Sequence, residues 1–434
     1  MVHFFELLIL KYIKEGHYVE FAILNPESFD RFEKTQPEGS FYQSIEQYYH
    51  FKNLHTRQAQ LFAVKEGENV LLSALVTIVK SRTGRVAEIM GGPVIDPTAE
   101  NSRELLIFFF QSLKDCLKKK HVYYLRVIPN KSLRRIDDDG QVTELDQSSY
   151  MAIYRQLGFI YQSFDQVGYN FASPHYEYRK DIAGLDRKTL FASFSKAAQY
   201  SIKKTHEFGV TTRFIGYDEL PKFHENTSKT AARLGFADKS LAYYESVFKT
   251  FKDNAKFVVA EIELNQYIGH FQQLIDQLQA QIDKLAAADA KRQNNHKANQ
   301  IKELRSQMEQ HGKRISQAKK IMAEKGHLIN LAGALFFIQP QEVSYMFSYT
   351  NSEFKNFYGP YQVQEKILNL AVDAKIPGYN FYGVSGDRSG KDGVYEFKKG
   401  FNGYMVDDMG AFILPIKKIR YVFLQNLKKI LRGK

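Results

Sequence analysis

The sequence predicts a mixed α/β (α+β) chain in which one structural unit occurs twice, with a helical arm set into the second copy. Three observations carry that prediction. Three strand-like runs, a helix and a fourth strand follow one another between residues 59 and 127, and the same order returns between residues 256 and 384. In each copy a helix joins two strands over a short crossover, so those two strands are expected to lie parallel and adjacent. Between the first two strands of the second copy, apolar residues step by 4, 3, 4 and 3 through Phe271, Ile275, Leu278, Ile282 and Leu285.

Taken in order, Phe4 to Leu10 is apolar but interrupted by Glu6. It lacks a basic leader and a small-residue cleavage site, so no signal peptide is expected. Residues 1–18 read as an N-terminal extension. Phe21 to Pro26 reads as a strand with a turn, and Ser28 to Lys34 and Ser44 to Lys52 as short helices. Ala59 to Lys65, Val70 to Lys80 and Val86 to Met90 read as strands, with turns at Gly67 and at Thr83-Gly84. Gly91-Gly92-Pro93 ends the third. Ser102 to Lys119 places Leu105, Leu106, Phe109, Leu113 and Leu117 on one helical face, and Val122 to Val127 follows as a strand.

The second copy begins at Lys256 to Leu264 and continues through Leu328 to Gln339 and Val343 to Tyr349. Val363, Ile367, Leu368, Ala371 and Val372 recur at helical spacing within Tyr361 to Ala374, and Tyr379 to Val384 reads as the last strand. The order is that of an N-acyltransferase-type (GNAT-like) fold in tandem, with a first domain over 19–170 and a second over 171–434. The arm, residues 265–326, resumes its rhythm at Ile301, Leu304 and Met308, then at Ile315, Ala318 and Met322. The polar stretch Ala287 to His296 separates the two runs, so an antiparallel coiled-coil hairpin is expected. Each arm of about 24 residues would be about 35 Å long.

The chain has 434 residues and a formal net charge of +12, which favours a polyanionic partner or surface. From Leu264 to Lys325 there are 11 basic residues and 6 acidic ones. They fit either a solvated helix pair or an arm that touches a polyanion such as tRNA. A second basic cluster is SKAAQYSIKKTHEFGVTTR, Ser195 to Arg213, with Lys196, Lys203 and Lys204 along one broad helical face and Gly209 as its stop. Residues 416–434 form a basic amphipathic helix, with Ile416, Ile419, Phe423, Leu427, Ile430 and Leu431 between lysines and arginines. It could pack on the body or meet a membrane surface. No run approaches the ~18 apolar residues of a membrane span. Cys116 stands alone, which excludes a disulfide within the chain, fits a reducing compartment and reads as a buried structural thiol.

Aromatics crowd residues 343–404: Tyr345, Tyr349, Phe357, Tyr358, Tyr361, Tyr379, Phe381 and Tyr382. They fit a core built from Phe and Tyr, or a cleft at the strand ends where ligands sit in open α/β sheets. Lys398 and Lys399 follow, just before Gly400 and Gly403. No HExxH and no paired cysteine signals a metal, and GxSxG and P-loop patterns are absent. Neither copy carries the Q/R-x-x-G-x-G/A loop that seats the pyrophosphate of CoA.

GGPVID (91–96), FYGPYQVQEKILNLA (357–371), YNFYGVSG (379–386) and GVYEFKKGFNG (393–403) together resemble the signatures of the Fem aminoacyltransferases. The resemblance runs from about residue 20 to the end and includes the arm. SFSKAAQYSIKKTHEFG and DKSLAYYESVFKTF are nearest the MurN branch, which adds the second alanine of a short cross-bridge. The resemblance implies transfer of an amino acid, alanine first and serine or glycine next, from aminoacyl-tRNA. The acceptor is the stem-peptide branch of lipid II or a related peptidoglycan precursor. It implies no cofactor beyond the aminoacyl-tRNA co-substrate, and peripheral work at the inner membrane face. It assigns Lys398 to stabilising developing negative charge. Lys52 and Lys204 would hold the precursor's diphosphate, and Tyr345, Tyr358 and Tyr361 would line the cleft. Where the family often has aspartate before a proline, the chain has Ile128 before Pro129, and a cleft position that is often tyrosine is Phe347.

Two other classes compete: a noncatalytic RNA-binding protein with a basic coiled-coil arm, and an N-acyltransferase using another acyl donor. The duplicated fold with its FKK lysine speaks against the first, and the missing CoA loop against the second.

Overall fold

The computed structural model describes residues 10–14, 17–55, 57–81, 84–164, 174–235, 237–289 and 295–431. Among them, two nine-stranded sheets form. The first orders its strands Leu10–Lys14, His17–Ile23, Gln58–Glu66, Asn69–Ser81, Gly84–Met90, Val122–Ile128, Ala411–Pro415 and Ile160–Gln162, with Val94–Ile95 beside Asn69–Ser81. The second runs Thr211–Phe214, Ala255–Glu263, Leu328–Ile338, Glu342–Thr350, Gly378–Val384, Tyr176–Asp181, Tyr404–Asp408, Ser132–Asp137 and Val142–Glu144. Each holds the expected antiparallel meander, and each crossover joins a parallel pair.

The crossover helices show why the apolar spacing matters. Ser102–Lys119 buries Leu105, Leu106, Phe109, Phe110, Leu113 and Leu117 against the first sheet. Gly359–Asp373 buries Val363, Ile367, Leu368, Ala371 and Val372 against the second. Burying one large apolar side chain contributes about 1.5–3 kcal/mol. Cys116 is half-buried on Ser102–Lys119, packed against the first core, where burial pushes its thiol up.

Three expectations change in the folded chain. Part of the N-terminal extension is structural: Leu10–Lys14 pairs antiparallel with His17–Ile23 at the edge of the first sheet. Residues 1–9 lie outside the described residues. Second, the strands do not sort by a division at residue 170. Ala411–Pro415 returns to the first sheet, between Val122–Ile128 and Ile160–Gln162. In exchange Ser132–Asp137 and Val142–Glu144 extend the second sheet beyond Tyr404–Asp408. An open edge is a row of unpaired backbone groups, and the exchange covers one in each sheet. Alternation within a strand reports its faces, not its neighbours.

Third, the C-terminal helix, Lys418–Leu431, packs by a different face from the apolar stripe in its sequence. Ile416, just before it, is core, and Tyr421 is buried with Tyr123 and Ile413. Ile419, Phe423 and Leu427 point outward. The side chains of Lys428, Lys429, Ile430 and Leu431, and all of Arg432 to Lys434, lie outside the described residues.

The arm is the pair Leu264–Asp289 and Asn295–Lys325, leaving the sheet after Glu263 and returning at Leu328, its ladder partner. Its base is not separable from the body: Tyr267, Phe271, Ile315 and Ala318 are buried in the second core, and Tyr267 and Phe271 pack on Phe208.

Candidate active site

Glu342–Thr350 and Gly378–Val384 pair only at their starts, Glu342 with Gly378, Val343 with Tyr379 and Ser344 with Asn380. Past that point they part. The corresponding strands of the first copy stay paired from Arg85 and Val122 to Met90 and Ile128. The second copy alone therefore opens a gap between its parallel strands. Backbone polar groups along such a gap need partners from elsewhere.

Lys398 supplies one. It sits on the short helix Gly393–Lys399, capped by Asp392, whose side chain accepts from the amides of Val394 (2.8 Å) and Tyr395 (3.2 Å). Its Nζ donates to the carbonyls of Tyr382 (3.2 Å) and Gly383 (2.6 Å), at the parting strand, and lies 5.8 Å from the centre of the Tyr345 ring. The side chain is only 5% exposed, and burial lowers its pKa to about 7, against the opposing pull of Asp392 and Glu177.

A row of rings leads away from Lys398. Tyr361 packs edge-on to Phe397 at 4.9 Å and lies 6.4 Å from Tyr358, which meets Tyr200 at 6.4 Å. Lys204 closes the row, 5.6 Å over Tyr200 and paired with Glu207 at 2.5 Å. Tyr345 stacks on Phe336 at 5.2 Å. Five of the six expected site residues thus lie along one connected path. Lys52 does not join it: it stands on Ile45–Leu54 beside the Tyr48 hydroxyl, at 3.3 Å.

The opposite side of the gap is a pocket of about 300 Å³ between the two sheets, lined among others by Tyr42, His50, Arg57, Glu88, Lys239 and Tyr382. Arg57 is tied to Glu88 at 2.9 Å. Burial and the Arg57 charge both depress Lys239. His50 is 1% exposed; its Nδ1 meets Ser246 Oγ at 2.9 Å, while Nε2 is buried with no partner among the described residues. Burial, Arg57 and Lys239 together lower its pKa to about 4. Glu88 offsets Arg57, so with Lys239 and a neutral imidazole these groups leave the pocket net positive, which suits an anion.

Tyr382 divides the two sides. Its carbonyl accepts from Lys398, while its hydroxyl is hydrogen-bonded to that of Tyr42 in the pocket wall. It adopts φ +66°, costly for a tyrosine, with its amide donating to Asn380 Oδ1 at 2.8 Å. Tyr42 is placed by the GGPVID turn: Gly91 has φ +68°, and a Cβ there would come within 2.8 Å of Ser40 Oγ and Tyr42 Cβ. Gln43 then clamps the segment, accepting from Leu75 N and donating to Met90 O, both at 2.6 Å. Sequence reasoning missed Tyr42, His50, Arg57, Lys239 and Tyr382 as site residues. His50 and Lys239 lay within segments read only for helix or resemblance.

The two departures have structural places. Ile128 is buried, and its carbonyl accepts from Gly91 N at 2.7 Å. Phe347 lines the pocket against Tyr243 and Tyr244. A larger cavity of about 680 Å³ lies elsewhere on the first sheet, walled by Glu66, Glu68, Asp96, Glu100 and Glu104, a setting that repels phosphate. Among the described residues, no group of three or more His, Cys, Asp or Glu side chains is placed to hold a metal, and no helix is long and apolar enough to cross a membrane.

A tandem acyltransferase-like scaffold, opened between its parallel strands beside a buried lysine, defines an enzyme of the acyl-group transferase class. The profile of the FemAB family matches residues 24–429, and the chain belongs to that family. It is similar to aminoacyltransferase FemA of Staphylococcus epidermidis, 29% identical over 425 residues that cover 95% of this chain and 100% of the relative. FemA of Staphylococcus aureus is 28% identical over 419 residues, covering 95% and 99%. The crystal structure of FemX shares the fold, with a TM-score of 0.76 at 20% identity over 93% of this chain and 99% of that one. The chain is an aminoacyltransferase.

Proposed function

We propose that the chain transfers an amino acid, alanine first among candidates, from aminoacyl-tRNA to the stem-peptide branch of a lipid-linked peptidoglycan precursor, building the interpeptide cross-bridge. One observation supports this above others: a buried lysine at the gap between parting strands, with an aromatic row on one side and an anion-favouring pocket on the other.

The branch amine attacks the ester carbonyl of the aminoacyl-tRNA. A C–N bond forms, the C–O bond to the terminal ribose breaks, and the amine's proton ends on the ribose oxygen. Charge develops on the carbonyl oxygen between these events. Lys398, as the ammonium, stabilises it, and such a donor is worth about 10²–10³ in rate. A pKa of about 7 also suits this lysine to relaying the proton. The ester is already activated, so the reaction balances without a cofactor.

Tyr358 and Tyr361 offer faces to the unstacked 3′ end of the tRNA, with Lys204 on phosphate and the arm along the tRNA backbone. Tyr345 borders the reacting centre. Lys239 and Arg57 meet the anionic groups of the precursor, while Lys52, exposed beside Tyr48 on the same helix as His50, would meet substrate phosphate outside the pocket. The precursor's lipid places this work peripherally at the inner membrane face.

Incubating the protein with labelled alanyl-, seryl- or glycyl-tRNA and lipid II, with either an unmodified lysine or an already extended branch, tests the reading. The expected product is precursor longer by one alanine. Binding of tRNA with no loss of ester to either precursor would remove this choice of donor and acceptor.

A further inference from the structure

Among the described residues, none covers one face of the C-terminal helix. Ile419 is 89% exposed and Phe423 64%, with Val422 and Leu427 also exposed along the same side of Lys418–Leu431. The opposite side is the packed one: Tyr421 is buried with Tyr123 and Ile413, and meets Tyr124 at 5.7 Å. Four large apolar groups on one exposed strip exceed the scattered single residues of an ordinary surface.

The setting of that strip is strongly basic. From Met409 to Lys434 the chain has no Asp or Glu. Lys418 and Arg420 flank the strip, with Arg420 over the Tyr123 ring at 5.8 Å and beside Gly84. Gly84 leads to exposed Arg85, whose guanidinium donates to the Lys120 carbonyl at 3.1 Å. Lys119 and Lys120 end the first crossover helix there. Three separate chain segments therefore bring cations to one end of the first sheet, beside the C-terminal helix.

We propose that this face seats the enzyme on an anionic lipid bilayer, with Ile419, Val422, Phe423 and Leu427 entering the boundary between headgroups and acyl chains and the neighbouring cations meeting lipid phosphates. An apolar strip edged by lysine and arginine is the pattern that lies in such an interface. A second copy fits poorly, because a two-fold contact would set one basic rim against another. The proposal deepens the functional reading above, since a lipid-linked acceptor is reached from that surface, but the helix argument itself does not depend on the chemistry.

Sedimentation of the full chain with vesicles of phosphatidylcholine, alone or mixed equally with phosphatidylglycerol, tests it. Wild type is expected to co-sediment with the anionic vesicles and not with the neutral ones. Ile419→Ser with Phe423→Ser should lower partitioning at least tenfold. Lys119→Gln, Lys120→Gln and Lys418→Gln together should lower it about 100-fold, at about five-fold per charge. Both sets replace surface side chains, so melting temperatures should stay close to wild type. Equal binding to neutral vesicles, or none to anionic ones, overturns the proposal. So does an Ile419→Ser, Phe423→Ser variant that turns a dimer into a monomer while vesicle binding is unchanged. Transfer to a water-soluble precursor analogue is measured in parallel. Transfer without vesicle binding removes only this inference, and vesicle binding without transfer removes only the functional reading.

Discussion

The proposed chemistry turns on one lysine amine held out of water. Lys398 reaches two carbonyls of a strand that has lost its parallel neighbour. Lys398→Ala should fold normally, judged by circular dichroism, and lose about 10²-fold or more in transfer. A variant that kept most of its turnover would remove the assigned role. Burial also gives the lysine a pH signature. In the unfolded chain it holds its proton up to its ordinary 10.5, whereas in the fold it releases it near 7. Between those values the unfolded state binds more protons, so stability must rise with pH across that window. Wild type should therefore gain melting temperature relative to Lys398→Met from about pH 7 towards pH 10. A constant gap would show that the amine is better solvated than its surroundings indicate. On the pocket side, Lys239→Gln should raise KM for the precursor more than it lowers kcat, because the proposal sets Lys239 against the precursor's anionic groups and not at the reacting carbonyl.

At the scale of elements, the arm is a lever rooted in the core. Phe271 and His311 face each other across the hairpin at 5.1 Å, and below that level Tyr267, Ile315 and Ala318 belong to the second core. Removing the whole hairpin would expose those side chains, and truncating one large buried residue alone costs about 2–5 kcal/mol. A cut above the root, replacing Gln279 to Glu303 with a short Gly/Ser turn, should leave the melting temperature nearly unchanged. If the arm follows tRNA, the shortened protein should bind it more weakly and with a flatter dependence on salt, since each lost phosphate contact reduces the slope. Identical affinity across a salt series would assign the arm another task.

At the scale of the whole molecule, the two halves hold each other's strands. Ala411–Pro415 lies inside the first sheet, with Phe412 and Leu414 in its core, and Ser132–Asp137 depends on Tyr404–Asp408 for its ladder. The pair Arg134 and Asp407, with His175 on the other Asp407 oxygen at 2.8 Å, ties Ser132–Asp137 to its new neighbour Tyr404–Asp408. Unfolding should accordingly be a single calorimetric transition. A chain ending at Gly410 should lack a stable first sheet, and residues 1–170 expressed alone should show poorly dispersed amide spectra. A well-dispersed spectrum from that fragment would mean that the exchange is dispensable.

Much was legible because periodicity is a local property of the backbone. Alternating and 3-to-4 spacings marked both meanders, both crossover helices and the arm, and a short crossover leaves adjacent parallel strands little choice. Lys398, Tyr345, Tyr358, Tyr361 and Lys204 could be singled out by motif. Their meeting along one row of rings is a matter of packing. The exchange of Ala411–Pro415 was invisible because a strand's own residues do not name its neighbour. The pocket escaped notice because His50, Arg57, Lys239 and Tyr382 come from distant parts of the chain, and only their crowding, out of water, shifts His50 and Lys239. The C-terminal helix shows the division within one element. Sequence alone determined that it is amphipathic and basic; the tertiary structure decided that Tyr421 faces the body and Ile419 and Phe423 face outward, because only the body's shape selects which side of a helix is covered.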